Sequence, residues 1–400
     1  MKGDEVLIAG AGIGGLAAAL ACQRAGASVR VFERAPEFGE VGAGIQIGPN
    51  VTRILHAWGL EEALARVAAF PDRLQVRSAA TGCELGVLPL GASALQRYGA
   101  PYATVHRADL HQLLLQALRG QGGVEPQNAA PLRSFESTAE SVAVQLADGS
   151  RITGTALIGA DGLWSQVRQG LLGDGAVQPT GHLAYRALLA QADLPAAMRS
   201  QQVTVWLGPQ MHVVQYPVRG GAALNLVAIV HGDPQWLRAA NATPGQLANW
   251  NQQADAADVA LALRGVCAPL HALVDAAGAW RLWVLCDRPP MDGPQQHAQG
   301  RVALLGDAAH PMRPYLAQGA GMAIEDAQAL GQCLGDGSGD VVAQLLRFAN
   351  QRWRRNRQVQ LRARRNGGIF HARGLVRFGR DAAMAVLGAR LLDLPWLYRS

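Results

Sequence analysis

Residues Gly300 to Asp326 read GRVALLGDAAHPMRPYLAQGAGMAIED. Val302 to Leu305 is a short apolar run ended by Gly306-Asp307, the pattern of a buried strand that stops at a turn. A Pro- and Gly-rich connection follows, and the sequence predicts a helix opening at Gly319-Ala320-Gly321. A strand-end carboxylate and a glycine-lined helix N-terminus are thus about a dozen residues apart. That pairing suits a ligand that offers hydroxyls to the Asp and negative charge to the helix start. The alternative is an ordinary buried strand-turn-helix whose glycines only permit close packing.

A second glycine cluster stands near the N-terminus. Glu5 to Ala9 reads as a strand, Gly14 to Arg24 as a helix stopped at Gly26, and Ser28 to Glu33 as a second strand. Between the first strand and the helix lies Gly10-Ala11-Gly12-Ile13-Gly14-Gly15, which fits G-x-G-x-x-G. In that pattern the first glycine makes the turn, the second admits a pyrophosphate, and the third lets helix and strand pack closely. Glu33, with Arg34 beside it, ends the second strand, where an acid accepts from a ribose hydroxyl. The apolar stretch Val6 to Ala21 is therefore expected to start a nucleotide-binding unit and not to be a targeting segment.

Farther along, Glu40 to Asn50 is a glycine-rich loop, followed by helices near Val51 to Trp58 and Asp109 to Arg119. Ile152 to Ala160 is expected to be one strand ending at Asp161-Gly162. From Thr180 to Asp287 the texture changes to alternating runs such as Val203 to Leu207, His212 to Tyr216 and Ala223 to Val230, with a helical stretch near Pro244 to Val259. The expected fold class is α/β: a Rossmann-like dinucleotide-binding domain, an inserted mainly antiparallel β domain and a helical C-terminus. The expected boundaries are 1–179 and 291–335 for the first domain, 180–290 for the insertion and 336–400 for the C-terminal region.

Apolar content of 49% with 16% charged residues fits a packed globular chain and excludes wholesale disorder. The net charge of +6 is a local effect, because Arg352 to Arg380 holds ten arginines and no acid. A solvated helical face is the plain reading of that run, and a patch for an anionic ligand or membrane surface the sharper one. Few aromatics interleave with it, so nucleic-acid binding is not expected. No apolar run is long enough to span a membrane. Five cysteines without CxxC spacing are read as reduced thiols in a cytoplasmic protein. The ten histidines are scattered, and no metal site is expected from their spacing.

The N-terminal fingerprint specifies an adenine dinucleotide without separating FAD from NAD. The second strand end at Gly306-Asp307 favours an extended flavin: its AMP half at Glu33, its ribityl chain at Asp307, its ring at Gly319-Ala320. With Gly10–Gly15, IGADGLWSQVR at Ile158–Arg168 and LLGDAAHPMRPYLAQGAGMAIEDA at Leu304–Ala327, the chain resembles the single-component FAD-dependent aromatic hydroxylases with the 4-hydroxybenzoate hydroxylase fold. VGAGIQIGPN, VHRADLH and HPMRPYLAQGAGMAIEDA are most similar to salicylate hydroxylase, 3-hydroxybenzoate 6-hydroxylase and 6-hydroxynicotinate 3-monooxygenase. This resemblance implies FAD as cofactor, NADH or NADPH and O2 as co-substrates, and hydroxylation of a phenolic aromatic acid through a C4a-hydroperoxyflavin. It leaves a homodimer open. The alternatives are a same-fold oxidase, reductase or epoxidase acting on a non-aromatic substrate, or a non-catalytic flavin-binding protein.

The resemblance also implies residue roles. Arg107 would contact the flavin pyrophosphate or ribityl region, Asp161 would hold the Asp-Gly loop against the cofactor, and Gln46 sits in the loop that moves with the flavin. Leu132 would pack near the adenine side. In the β domain, alternation puts His212, Val214 and Tyr216 on one strand face. His212 is the expected base for a phenol, with Tyr216 as its partner in the pocket. Four extended residues span roughly 13 Å, so both touch one substrate atom only if the strand bends before Pro217. The alternative for His212 is a satisfied core histidine. Arg186 is a candidate partner for a substrate carboxylate, the alternative being a structural role in stabilising the sheet. Pro314 and Tyr315 are expected to face the substrate, and His310 to shape the turn before them.

Overall fold

The computed structural model describes residues 5–39, 43–232, 247, 252–337 and 339–399. Contact density divides the chain into two units. One comprises Met1–Glu40, Leu110–Gln178 and Asp287–Ala363, the other Val41–Asp109, Pro179–Cys286 and Arg364–Ser400.

The first unit is built on a five-stranded sheet in the order Ala298–Gln299, Val302–Leu304, Ala156–Gly159, Glu5–Ala9, Ser28–Phe32. The last four run parallel, and Ala298–Gln299 is antiparallel to its neighbour. Val6, Leu7, Ile8, Leu157, Ile158, Val302 and Leu304 are fully buried, as expected of parallel strands covered on both faces. The Ile13–Arg24 helix packs against the Gly319–Gly335 helix through small residues. A Cβ on Gly331 would stand 2.9 Å from that of Ala21, so the glycine sets how closely the two helices approach.

The expected strand Ile152–Ala160 is two strands. Arg151–Gly154 pairs with Val142–Leu146, and Ala156–Gly159 pairs with Glu5–Ala9. The break falls where the chain passes from one sheet to the other at Gly154, where a Cβ would lie 2.7 Å from the Glu5 carbonyl oxygen. The half-exposed RITG segment lies in the first sheet and the buried ALIG segment in the second.

The second unit holds an eight-stranded sheet that includes the expected strands as Val203–Gly208, Met211–Val218 and Ala223–His231. These three and Gln178–Ala190 are mutually antiparallel where they pair. Val203–Gly208 also pairs in parallel with Arg73–Ser78. Residues 41–109 cluster with this β-rich unit, whereas the sequence pattern groups them with the nucleotide-binding part. The core here gathers Trp206, Trp280, Leu224, Leu226 and Val213. Much of the helical stretch expected near Pro244–Val259 lies outside the described residues. Within it, Gln252–Ala254 is a strand, and Ala256–Ala262 is a helix capped by the Asp255 carboxylate.

The C-terminal part is helical, led by Val341–Phe370 and Gly374–Leu387. Among the described residues no helix is long and apolar enough to cross a membrane. All five cysteines are free. The arginine run is only partly a solvated face: Arg352 is buried against Asp326 and Glu325, and Arg355 pairs with Glu325.

Candidate functional site

The GAGIGG turn has the shape that its glycines require. Gly10 has φ +97°, and a Cβ there would be 2.5 Å from the Ala160 carbonyl oxygen. A Cβ on Gly15 would fall 1.8 Å from the Gly10 oxygen, which excludes any side chain. Gly12 is different: it is the N-cap of the Ile13–Arg24 helix, no side chain caps it, and a Cβ would meet nothing within 4 Å. Bare amides thus open on free space at the positive end of a helix dipole. Glu33 closes the turn by accepting from the Ala11 amide at 2.7 Å and the Ala35 amide at 2.9 Å. Arg34 beside it is exposed. His111 donates from Nε2 to the Ala11 carbonyl at 2.7 Å, a support that the sequence reading did not assign.

Asp307 lies in the turn Gly306–Ala308 that ends the Val302–Leu304 strand. A Cβ built on Gly319 would stand 3.9 Å from Asp307 Oδ1, so the carboxylate and the start of the Gly319–Gly335 helix are neighbours. No side chain caps that helix, and its first turn holds no acid. Gly319 and Ala320 thus present helix-start amides next to a carboxylate, and Gly12 presents others beside Glu33. The residues present therefore fit an adenine dinucleotide carrying a hydroxylated chain and an anionic ring.

Two buried networks hold the Asp307 turn in place. Asp326, fully buried on the Gly319–Gly335 helix, accepts from the Gly306 amide at 3.2 Å, Arg352 Nε at 2.7 Å and Asn356 Nδ2 at 2.9 Å, and pairs with His310 Nε2. Burial works against its charge, but His310 and Arg352 hold its carboxyl far below the usual carboxylate range. From the other side, Arg168 donates to the carbonyls of Ala308 at 3.0 Å and Ala309 at 2.6 Å, with Asp174 balancing its charge. Neither Asp326 nor Arg168 was assigned from sequence. The available signal was a charged residue among buried neighbours, Arg168 beside Val167 in the Gln166–Leu172 helix.

Asp161 is tied to that same helix. Its carboxylate accepts from the Gln166 and Val167 amides at 2.7 and 3.1 Å and from the Ser165 hydroxyl, so it fastens the Asp-Gly loop to a helix start. Burial raises its pKa despite these bonds. Leu132 begins the Leu132–Ser137 strand and is half-buried. Pro314 and Tyr315 form a single 3-10 turn, with Tyr315 buried. Arg313 pairs with Asp287 at 2.8 Å.

In the second unit Gln46 lies on the Gly44–Ile47 strand and accepts from the Tyr102 hydroxyl at 2.6 Å. Arg107 opens the Arg107–Gly122 helix and is exposed. Arg186 is buried, with its guanidinium 4.9 Å above the Trp283 ring. Its pKa falls to about 10 through burial first, then through the positive charges of Arg107 and Arg281. Three guanidinium groups therefore raise the local potential, which an anionic carboxylate would relieve.

His212 and Tyr216 share the unbroken Met211–Val218 strand, and Pro217 keeps register opposite Leu224. The pairing is continuous through Pro217, which leaves the two side chains four extended residues apart on one strand. His212 Nδ1 lies 2.8 Å from His371 Nε2, and burial lowers the His212 pKa to about 3 with a smaller push from His182. Tyr216 donates to the Gly44 carbonyl at 2.5 Å, and a Cβ on Gly44 would stand 2.5 Å from its ring.

The chain matches the FAD binding domain family over residues 4–347. It belongs to that family. It is 39% identical over 397 residues to 3-hydroxybenzoate 6-hydroxylase of Polaromonas naphthalenivorans, covering 98% of this chain and 95% of the relative. It is 36% identical over 340 residues to 6-hydroxynicotinate 3-monooxygenase of Pseudomonas fluorescens, covering 83% of each. In three dimensions it is similar to Klebsiella pneumoniae HpxO complexed with FAD and uric acid. The TM-score is 0.84 at 26% identity, with 98% of this chain and 95% of that one covered. The chain is thus an FAD-dependent oxidoreductase of the flavoprotein monooxygenase type.

Proposed function

We propose that this flavoprotein hydroxylates a phenolic aromatic acid of the 3-hydroxybenzoate or salicylate type, with NADH or NADPH as reductant and O2 as oxidant. The observation that carries the proposal is the placement of Asp307 beside the uncapped start of the Gly319–Gly335 helix. When bound, FAD supplies the electron transfer and oxygen activation that side chains do not.

The chain's own residues divide the remaining work. Gly10, Gly12 and Gly15 let the backbone approach the pyrophosphate, and Glu33, with Arg34 alongside, receives the ribose. Asp307 takes ribityl hydroxyls, and the Gly319-Ala320 amides favour negative charge on the ring. Arg107, Asp161, Gln46 and Leu132 keep the supporting roles that the resemblance implies. Arg186 binds the substrate carboxylate, supported by its buried, electropositive position. His212 accepts the phenol proton. Its Nε2 is the nitrogen not directed at His371. Tyr216 shapes the pocket through its bond to Gly44. Pro314 and Tyr315 face the substrate ring.

A 3-hydroxybenzoate-like acid would give a dihydroxybenzoate, and a salicylate-like acid would lose CO2 to give a catechol. Anaerobic stopped-flow reduction of the flavin by NADH and by NADPH, with a panel of phenolic acids, tests the proposal. We expect the fitting acid to accelerate reduction. A rate indifferent to every phenolic acid contradicts it.

A further inference from the structure

Three histidines that lie far apart in the sequence meet in the β-rich unit. His182 lies on the Gln178–Ala190 strand and His231 ends the Ala223–His231 strand, where register sets the two directly opposite each other. Their Nε2 atoms are 3.1 Å apart. His371 follows the Val341–Phe370 helix, and its ring centre is 5.2 Å from that of His182 and 5.1 Å from that of His231. One nitrogen from each residue lies within 4.8 Å of the other two.

We propose that His182, His231 and His371 form a binding site for a divalent transition-metal ion of the zinc class, with three imidazoles on one side and a fourth position toward solvent. The spacing suits it. Two nitrogens held 2.0–2.1 Å from a tetrahedral zinc are about 3.3 Å apart, so His182 and His231 already stand near ligating distance. The three nitrogens lie within 4.8 Å of one another, so closing to about 3.3 Å needs shifts of about 1.5 Å at most. His182 and His371 are buried while His231 is exposed, which gives an ion its entry.

Arg373 opposes a cation at this place, whereas Arg380 near His371 is balanced by Asp381 at 2.7 Å. His371 Nε2 and His212 Nδ1 lie 2.8 Å apart, a contact of the kind that orients a metal-bound imidazole. With no carboxylate or thiolate in the set, the site selects against calcium and magnesium and for zinc, cobalt, nickel or copper.

The test uses the full-length, flavin-loaded protein after treatment with a chelator. Zn2+ is titrated in competition with a chromophoric chelator, and Co2+ is followed by its ligand-field bands at wavelengths beyond the flavin absorption. We expect one equivalent of ion for the unaltered protein, and affinity weakened about 100-fold or more in His231→Ala and in His182→Gln. His231 is exposed, so H231A keeps its fold and flavin and is decisive even if H182Q does not. No uptake by the unaltered protein overturns the proposal, as does undiminished uptake by H231A.

Discussion

Asp307 and Gly319 face one another: a Cβ on Gly319 would stand 3.9 Å from Asp307 Oδ1. A carboxylate at a strand end thereby meets the positive end of a helix that no side chain caps. In a chain of the FAD binding domain family, this is where ribityl chain and ring are expected together.

Asp307→Ala is therefore expected to lose most bound FAD while keeping its fold. A charge-assisted hydrogen bond is worth about 2 kcal/mol, so FAD affinity should fall roughly thirtyfold. Flavin absorbance per protein and far-ultraviolet circular dichroism of the purified variant check both halves. A full flavin complement removes Asp307 from the site.

Gly15→Ala tests the dinucleotide turn. The added methyl would sit 1.8 Å from the Gly10 carbonyl oxygen, so backbone must move. Overpacking of this kind costs about 3 kcal/mol. The urea midpoint should fall accordingly, whereas Gly12→Ala, with open space at that position, should weaken FAD binding with little loss of stability.

Asp326→Asn should destabilise the nucleotide-binding unit by about 3–5 kcal/mol at pH 7, because Arg352 loses its buried counter-charge. The pH dependence has a definite sign. The folded carboxyl titrates below its unfolded value of about 3.9, so its contribution is complete above that pH and erodes as pH falls beneath it. Melting temperatures should differ by a constant amount from pH 7 to about pH 4 and begin to approach one another between pH 4 and pH 3. A difference that grows as pH falls contradicts the assignment.

His212→Ala should still bind substrate but hydroxylate it about 100-fold or more slowly, with NADH consumption diverted to hydrogen peroxide. Coupled turnover at the original rate would leave His212 as a core histidine bonded to His371.

The parts legible in the sequence were those written in local pattern. The Glu5–Ala9 strand, the glycine turn and the helix behind it follow from hydropathy and from φ values that favour glycine. The turn at Gly306-Asp307 followed for the same reason. What stayed hidden is made by contacts between distant residues. Arg168 reaches carbonyls 140 and 141 residues away, and Asp326 joins His310 to Arg352 across 16 and 26 residues. The parallel pairing of Arg73–Ser78 with Val203–Gly208, and the meeting of His182 with His371, leave no trace in spacing. The chain passes from one sheet to another after Gly154, a switch of strand partner that spacing alone does not show.

The most direct test of the account is turnover under 18O2 with NADH or NADPH and a panel of hydroxylated aromatic acids, the product being analysed by mass spectrometry. The account predicts one atom of 18O in the hydroxylated product, with no label taken from water. Nucleotide oxidation that yields only hydrogen peroxide with every acid of the panel would contradict it.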